Sequence, residues 1–334
     1  MIPQQARAVA DAVLYEGFML FPYTPDALKN HDRWQFGVLM PAGYLDLSEP
    51  SAMHAQLLCT GSTACIEVAA RFLQVEESPQ EREVPLHLTL SGRANTVPFR
   101  FGALHGRLHC ESVQDGEYYR IALTLENLTR IPPTGERTEA IRGAFASAHL
   151  IASADGGAFV SLMDPPPEAK DAALRCRNRW VFPVLAGARE RDERFSATVL
   201  ASPIILYDYP EISAQSKGHT FDGTEIDELL MLTVASLTDK EKREARAGDP
   251  RVRALVDRAE ASVLGERVRI HPKRSADAFD MFADGKTARV KGVHEDVDGR
   301  TYVAVVFDDD PASDLHEWYG RSFFYELDEV EPVS

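Results

Sequence analysis

The sequence predicts a mainly β, β-rich α+β fold. It is read as antiparallel sandwich- or barrel-like modules, a helical insert and a small SH3-like barrel at the C-terminal end. Three observations lead there. Short aromatic, β-branched and aliphatic runs recur from residue 13 to residue 212, separated by Gly, Pro, Asn and Asp turns. Near residue 222 the apolar period lengthens to that of a helix. Beyond residue 282 it returns to short strand-like runs. The boundaries expected from these changes are a β-rich region over 1–221 with an internal break near 77–85, a helical segment over 222–262, and a barrel over 263–334.

In the first region, "VLYEGFMLFPY" and "RWQFGVLMP" read as strands joined by a polar connection. "AQLLCTGSTACIEVAARFLQVEE" reads as two strands about the turn "TGST", with Gly61 supplying backbone freedom. The polar hinge "SPQEREV" follows. "VPLHLTLSG", "FRFGALHGRLHCESV" and "YYRIALTLENLT" then form a meander in which the "DG" of "QDGE" is a hairpin turn. "IPPTGERTEA" is expected to be a loop. "GAFASAHLIASADGGAFVSLMDPPPEAK" is expected to be a hairpin closed by prolines that cannot continue a central strand. "RWVFPVLAG" and "FSATVLASPIILYDYPEI" add further strands. Helices do not alternate with these strands, which excludes a doubly wound α/β sheet.

The helical segment rests on Ile226, Leu229, Leu230, Thr233, Val234 and Leu237, the stripe of an amphipathic helix. "TDKE" at 238–241 is a capping box for a second helix. "GDP" at 248–250 stops it and starts a third, with Asp249 as N-cap and Pro250 in the first turn. In the tail, "KTARVKGVHEDVDGRTYVAVVFDDD" gives two strands across "DVDG", and "ERVRI" is a candidate first strand of the barrel.

With 334 residues and 37.1 kDa, the chain has room for two or three cores. Its 36 basic and 52 acidic residues give a formal charge of −16, which argues against nucleic acid and anionic membrane surfaces as partners. No run of eighteen apolar residues occurs and the N-terminal stretch lacks a signal-peptide pattern, so no membrane insertion and a cytoplasmic location are expected. The four cysteines show no zinc-like spacing. "NLT" at Asn127 matches a glycosylation sequon, without a secretory signal to give it meaning.

The standard catalytic and nucleotide-binding motifs are absent, no catalytic residue is assigned, no cofactor is called for, and the question of enzymatic activity stays open. Two clusters are metal candidates. In "LHGRLHC", His105 and His109 share one strand face while Cys110 points to the other, but two histidines four apart on a strand lie roughly 13 Å apart and need help from a bulge or a partner strand. In "HTFDGTEIDELL", His219, Asp222, Glu225 and Glu228 cluster where a helix also begins. Asp222 with Glu225, or Thr224 with Asp227, makes a capping box there. Cys59 and Cys65 flank "TGST", either as a pair facing across a hairpin or as two small buried residues. The acidic loop "FDDDPASDLHEWYGR" lacks Ca²⁺-loop spacing. It offers Asp308, Asp309, Asp310, Asp314, Trp318 and Tyr319 as contacts for a protein partner.

Taken together, "VLYEGFMLFPY", "RWQFGVLMP", "GAFVSLMDPP", "SPIILYDYPEI", "FDGTEIDELLML" and the tail "DDDPASDLHEWYGR…DEVEPV" resemble an uncharacterised family of accessory proteins encoded in bacterial [NiFe]-hydrogenase gene clusters. The resemblance spans most of the chain and carries over no site residues. It implies a non-catalytic accessory or scaffold protein that supports assembly or maturation of a hydrogenase, with hydrogenase subunits or maturation factors as partners. The alternative is a metal-binding enzyme or metallochaperone for Ni, Fe or Zn using His, Cys and carboxylate ligands.

Overall fold

The computed structural model describes residues 2–19, 23, 34–76, 78–92, 94–212, 221, 230–231, 234, 237, 239–263, 267–273, 283–295, 301–308 and 322–333. The chain is mainly β with several antiparallel sheets, and it divides into two compact units, Met1–Phe18 with Asp32–Ala214, and Met19–His31 with Gln215–Ser334.

The first unit is a sandwich. Its strands are β1 (Ala42–Tyr44), β2 (Ala52–Cys59), β3 (Cys65–Gln74), β4 (Gln80–Thr89), β5 (Asn95–Phe101), β6 (Leu104–Asp115), β7 (Tyr118–Asn127), β8 (Arg130–Thr134), β9 (Phe145–Asp155), β10 (Phe159–Val160), β11 (Phe182–Ala186), β12 (Phe195–Ser196) and β13 (Thr198–Ser202). One sheet has the order β12-β10-β2-β7-β6-β5 and the other β11-β13-β9-β3-β4, while β1 and β8 form a short parallel ribbon. Alternate residues of β2, β6 and β7 meet those of β3, β4 and β9 in one core, including Met53, Leu57, Leu108, Leu123, Val68 and Leu150. Phe72 and Phe145 stack at its centre with ring centroids 4.3 Å apart. Gly106 is required beside them, because a Cβ there would collide with the rings of Phe99 and Phe145.

The turn at 60–64 does not close a hairpin. It carries the chain from one sheet to the other, since β2 pairs with β7 and β10 whereas β3 pairs with β4 and β9. Gly61 takes φ +83°, and a Cβ on it would strike the carbonyl of Gly156, so the turn nests against the β9–β10 bend. Asn127 is buried at the end of β7. Its amide donates to the carbonyls of Leu39 (2.8 Å) and Gly143 (2.9 Å), and its oxygen accepts from the Thr129 N–H (2.9 Å). The sequon asparagine is a structural brace.

Two strand expectations and one loop expectation give way. "VLYEGFMLFPY" begins inside helix α1 (Gln4–Tyr15), whose Ala6, Val9, Ala10 and Val13 form an i, i+3, i+4, i+7 stripe against Ala69, Ile151, Val184 and Leu200. The stripe lies in the residues before the aromatic run, and the run misdirects the reading. "RWQFGVLMP" contributes one bridge, Leu39 to Phe145, rather than a strand. "IPPTGERTEA", expected as a loop, holds most of β8 and the short helix α2 (Arg137–Ala140).

Helix α1 covers a charged interior. Arg71 on β3 is 4% exposed and meets Asp11 of α1 at 2.6 Å, Glu83 of β4 at 3.4 Å and Glu81 at 3.8 Å. Opposite it on β9, His149 is fully buried, and its Nδ1 lies 2.9 Å from the Ser147 carbonyl. Burial pushes the imidazole down to about 3, aided by the Arg71 charge, so the ring is neutral with Nδ1–H donating.

In the second unit, α4 (Asp239–Ala247) packs on α5 (Pro250–Val263). Asp249 caps α5 through its carboxylate, which accepts from the Arg251 N–H at 2.8 Å, and Pro250 opens the helix. The strands β14 (Arg267–Ile270), β15 (Thr287–Glu295), β16 (Thr301–Phe307), β17 (Phe323–Glu326) and β18 (Val330–Pro332) form one antiparallel sheet in the order β17-β16-β15-β14-β18. Its core contains Val268, Ile270, Val290, Val305, Phe307 and Tyr325. The small SH3-like barrel expected here is, among the described residues, a five-stranded antiparallel sheet that does not close into a barrel. The single turn of 3₁₀ helix at Leu327–Glu329 delivers β18 to β14, and β17 and β18 remain the two end strands. Among the described residues no helix is long and apolar enough to cross a membrane.

Candidate interaction surface

At one edge of the sandwich the chain crosses between the sheets in full view of solvent. Helix α3 (Lys170–Arg175) ends, and residues 177–179 then lie along the part of β2 that β10 leaves uncovered. The Gln56 side chain accepts from the Arg177 N–H (2.9 Å), the Asn178 side chain accepts from the Gln56 N–H (2.8 Å), and Arg179 and His54 exchange backbone hydrogen bonds at 2.9 and 3.1 Å. Val181 is buried in the core. Its neighbours Trp180 and Phe182 are 51% and 44% exposed. Trp180 holds φ +64°, a conformation that is costly for a bulky side chain and is maintained here by the ladder before it and the buried valine after it.

A second segment reaches the same end of β11. Phe182 pairs with Ser202, the last residue of β13, and the chain turns there into 203–209. Leu206 turns inward against the α1 cluster, while Ile205 and Tyr207 point out, 72% and 82% exposed. The loop is pinned by Asp208, whose carboxylate accepts from the Leu185 N–H (2.7 Å) and the Ser161 hydroxyl (2.5 Å). Tyr209 adds an N–H bond to the Leu185 carbonyl at 2.7 Å and a hydroxyl bond to the Phe195 carbonyl.

The arginines of this edge differ. Arg175 binds Asp115 at 2.5 Å, and that hydrogen bond, joined by Arg120 at 2.6 Å, holds the Asp115 carboxyl below the usual range. Among the described residues the Arg177 guanidinium donates to the carbonyls of Leu174 (2.6 Å) and Cys176 (3.1 Å). Among the described residues neither Arg177 nor Arg179 pairs with a carboxylate. The result is an exposed basic and aromatic surface on a chain of net charge −16. The stretch "RCRNRW" carries that signal in the sequence, as basic residues beside an aromatic in an acidic chain, and it matches no metal-ligand or catalytic motif.

The metal candidates are distributed differently. His105 and His109 lie on the outer face of β6 and Cys110 in the core, as strand alternation requires. His109 Nδ1 lies 2.7 Å from the Thr96 hydroxyl, and burial pushes the Cys110 thiol up to about 12. His219, Asp222, Glu225 and Glu228 lie outside the described residues, as do Asp309, Asp310, Asp314, Trp318 and Tyr319. Asp308 accepts from Arg267 (2.9 Å) and Arg289 (3.1 Å). Burial works to raise its carboxyl, but the two arginines outweigh that effect and hold it low.

Of the two readings of Cys59 and Cys65, the facing pair falls, and burial holds for Cys59 alone. They sit in different sheets, Cys59 buried with its thiol pushed up to about 12, and Cys65 exposed on the outer face of β3. Cys65 borders an open groove of about 370 Å³ shared with Glu67, His87, Thr89, Ser153 and Asp155. The register places His87 opposite Glu67, and Thr89 and Asp155 on either side of Cys65. Among the described residues no three His, Cys, Asp or Glu side chains come together as a metal site. No protein-family model matches the chain, and no curated protein matches it either.

Proposed function

We propose that the protein is a non-catalytic accessory or scaffold protein that supports assembly or maturation of a [NiFe]-hydrogenase through protein–protein contacts. The hydrogenase context comes from the sequence resemblance. The observation that supports a contact role is the exposed edge bearing Arg177, Arg179, Trp180, Phe182, Ile205 and Tyr207. Arg, Trp and Tyr are the residues that most often dominate binding energy at protein interfaces, and here they stand on a backbone fixed by ladder bonds and Asp208. Exposed aromatic residues cost solubility, and a surface that keeps several of them together is a common mark of a contact site.

A tagged chain purified from hydrogenase-expressing bacteria is expected to bring down hydrogenase subunits or maturation factors. Deletion of its gene is expected to lower hydrogenase activity. Recovery of none of these proteins, together with unchanged activity after deletion, would sink the proposal.

A further inference from the structure

We infer that the crossover edge docks an acidic segment of a partner protein, with Arg177 and Arg179 receiving its carboxylates and the exposed Trp180 that follows them receiving an apolar side chain. The inference rests on the protein-contact reading above and names the chemistry of the partner. Charge sets the sign. An arginine fork matches a carboxylate with two parallel donors, and these two exposed guanidiniums are not neutralised by a carboxylate of their own chain among the described residues. Their neighbour Arg175 shows the contrast, because Asp115 already occupies it.

Geometry sets the form. Residues 177–179 are held in extended conformation by Gln56, Asn178 and the His54 bridge, so Arg177 and Arg179 present their side chains at fixed, alternate positions. Trp180 follows at φ +64°, where the chain leaves β2 for the other sheet, and Val181 after it turns into the core. An extended partner with carboxylates next to an apolar residue matches that order of exposed side chains. A net charge of −16 on each chain works against a second copy as the occupant. The same charge disfavours a nucleic acid, whose phosphates would also fit arginine.

The test uses the full chain and a fluorescein-labelled peptide in which Asp alternates with Leu and Phe, read by anisotropy. Controls are the same peptide with Lys for Asp, and a single-stranded RNA oligonucleotide. The Asp peptide is expected to bind, more weakly as salt rises past about 0.15 M. The double variant Arg177→Glu/Arg179→Glu is expected to lose roughly tenfold or more in affinity, and Arg100→Glu on β5, at the far edge of the six-stranded sheet, to lose none. Trp180→Asn, which tolerates the positive φ, is expected to bind several-fold more weakly, with thermal melts confirming that each variant folds.

Equal binding by the double variant, tighter binding of the Lys peptide or the RNA, or a dimer that the double variant dissolves would each overturn the inference. Recovery of hydrogenase proteins by the double variant at the parent level also overturns it while leaving the accessory role standing. Peptide binding with no hydrogenase protein recovered supports the edge and overturns the role.

Discussion

The two outer faces of the sandwich begin from the same kind of strand and end in opposite environments. On the six-stranded sheet the outward side chains of β5, β6 and β7 stay wet and pair across strands: Arg107 with Glu126 at 2.6 Å, His109 with Thr96 at 2.7 Å. His54 of β2 meets Thr124 at 2.9 Å in the same way. On the five-stranded sheet helix α1 covers the outward side chains of β9, β11, β13 and part of β3, and β9 is buried along both faces from Phe145 to Ala154. A polar residue under the helix has to find partners inside the protein. Arg71 does so with three carboxylates that keep contact with water, and His149 does so by giving up its charge. The position of a strand face relative to the helix therefore decides whether its polar residues are decoration or structure.

Replacing Arg71 with Ala breaks this comparison at its strongest point. The guanidinium is lost from a closed site, and Asp11, Glu81 and Glu83 are left facing one another beneath α1. Removing one partner of a buried ion pair costs several kcal/mol. The carboxylates here remain about half exposed, which moves the expected loss to the lower end, about 3 kcal/mol. Urea denaturation measures it, and hydrogen exchange should show α1 opening first. A loss under about 1 kcal/mol would place Arg71 in the same class as the surface pairs of the other sheet.

The contrast between faces also explains what could be read in advance. The strands β6 and β7 alternate buried and exposed residues, so "LHGRLHC" gave the correct faces for His105, His109 and Cys110. The strand β9 shows no alternation because both its faces are covered, and nothing in "FASAHLIASAD" announces the helix that covers it. That helix was legible only in Ala6, Val9, Ala10 and Val13, a stripe made of small residues beside a louder aromatic run. The separation of Cys59 from Cys65 was not legible for a different reason, since a short turn such as "TGST" serves a hairpin and a sheet-to-sheet crossing equally well in sequence. The crossover edge was legible in composition but not in place. Whether Arg177 and Arg179 would find carboxylates depends on β2 leaving an edge open, which is a property of the assembled sheet.

His149 sharpens the comparison through pH. The unfolded imidazole titrates near 6.5 and the buried one near 3, so between those values the unfolded chain binds the extra proton. The contribution of the neutral ring is complete above 6.5 and is lost as pH falls through that window. At about 1.4 kcal/mol per pH unit, stability should drop by about 2 kcal/mol from pH 6.5 to pH 5 on account of this residue. Glu83 and Asp115, whose carboxyls are held low by Arg7 and Arg175, act in the same direction but only further down in pH. Urea titrations at the two pH values should show the loss in the parent chain and a flatter response in His149→Leu. An equal slope in both would mean that another group carries the titration.

Arg107→Ala tests the wet face and should have the smallest effect. Arg107 is half exposed and Glu126 partly so, and their 2.6 Å contact lies on the outer surface of β6 and β7. Water already solvates both ions, holding the arginine in one rotamer costs entropy, and salt screens what attraction remains. The expected loss is about 0.5 kcal/mol, shrinking as salt is added. A double-mutant cycle with Glu126→Ala isolates the pair from the packing of the arginine stem over its neighbours. A coupling above about 2 kcal/mol would show that this face is shielded from water much as α1 shields the other, and the difference between the two sheets would then lie in which element covers them.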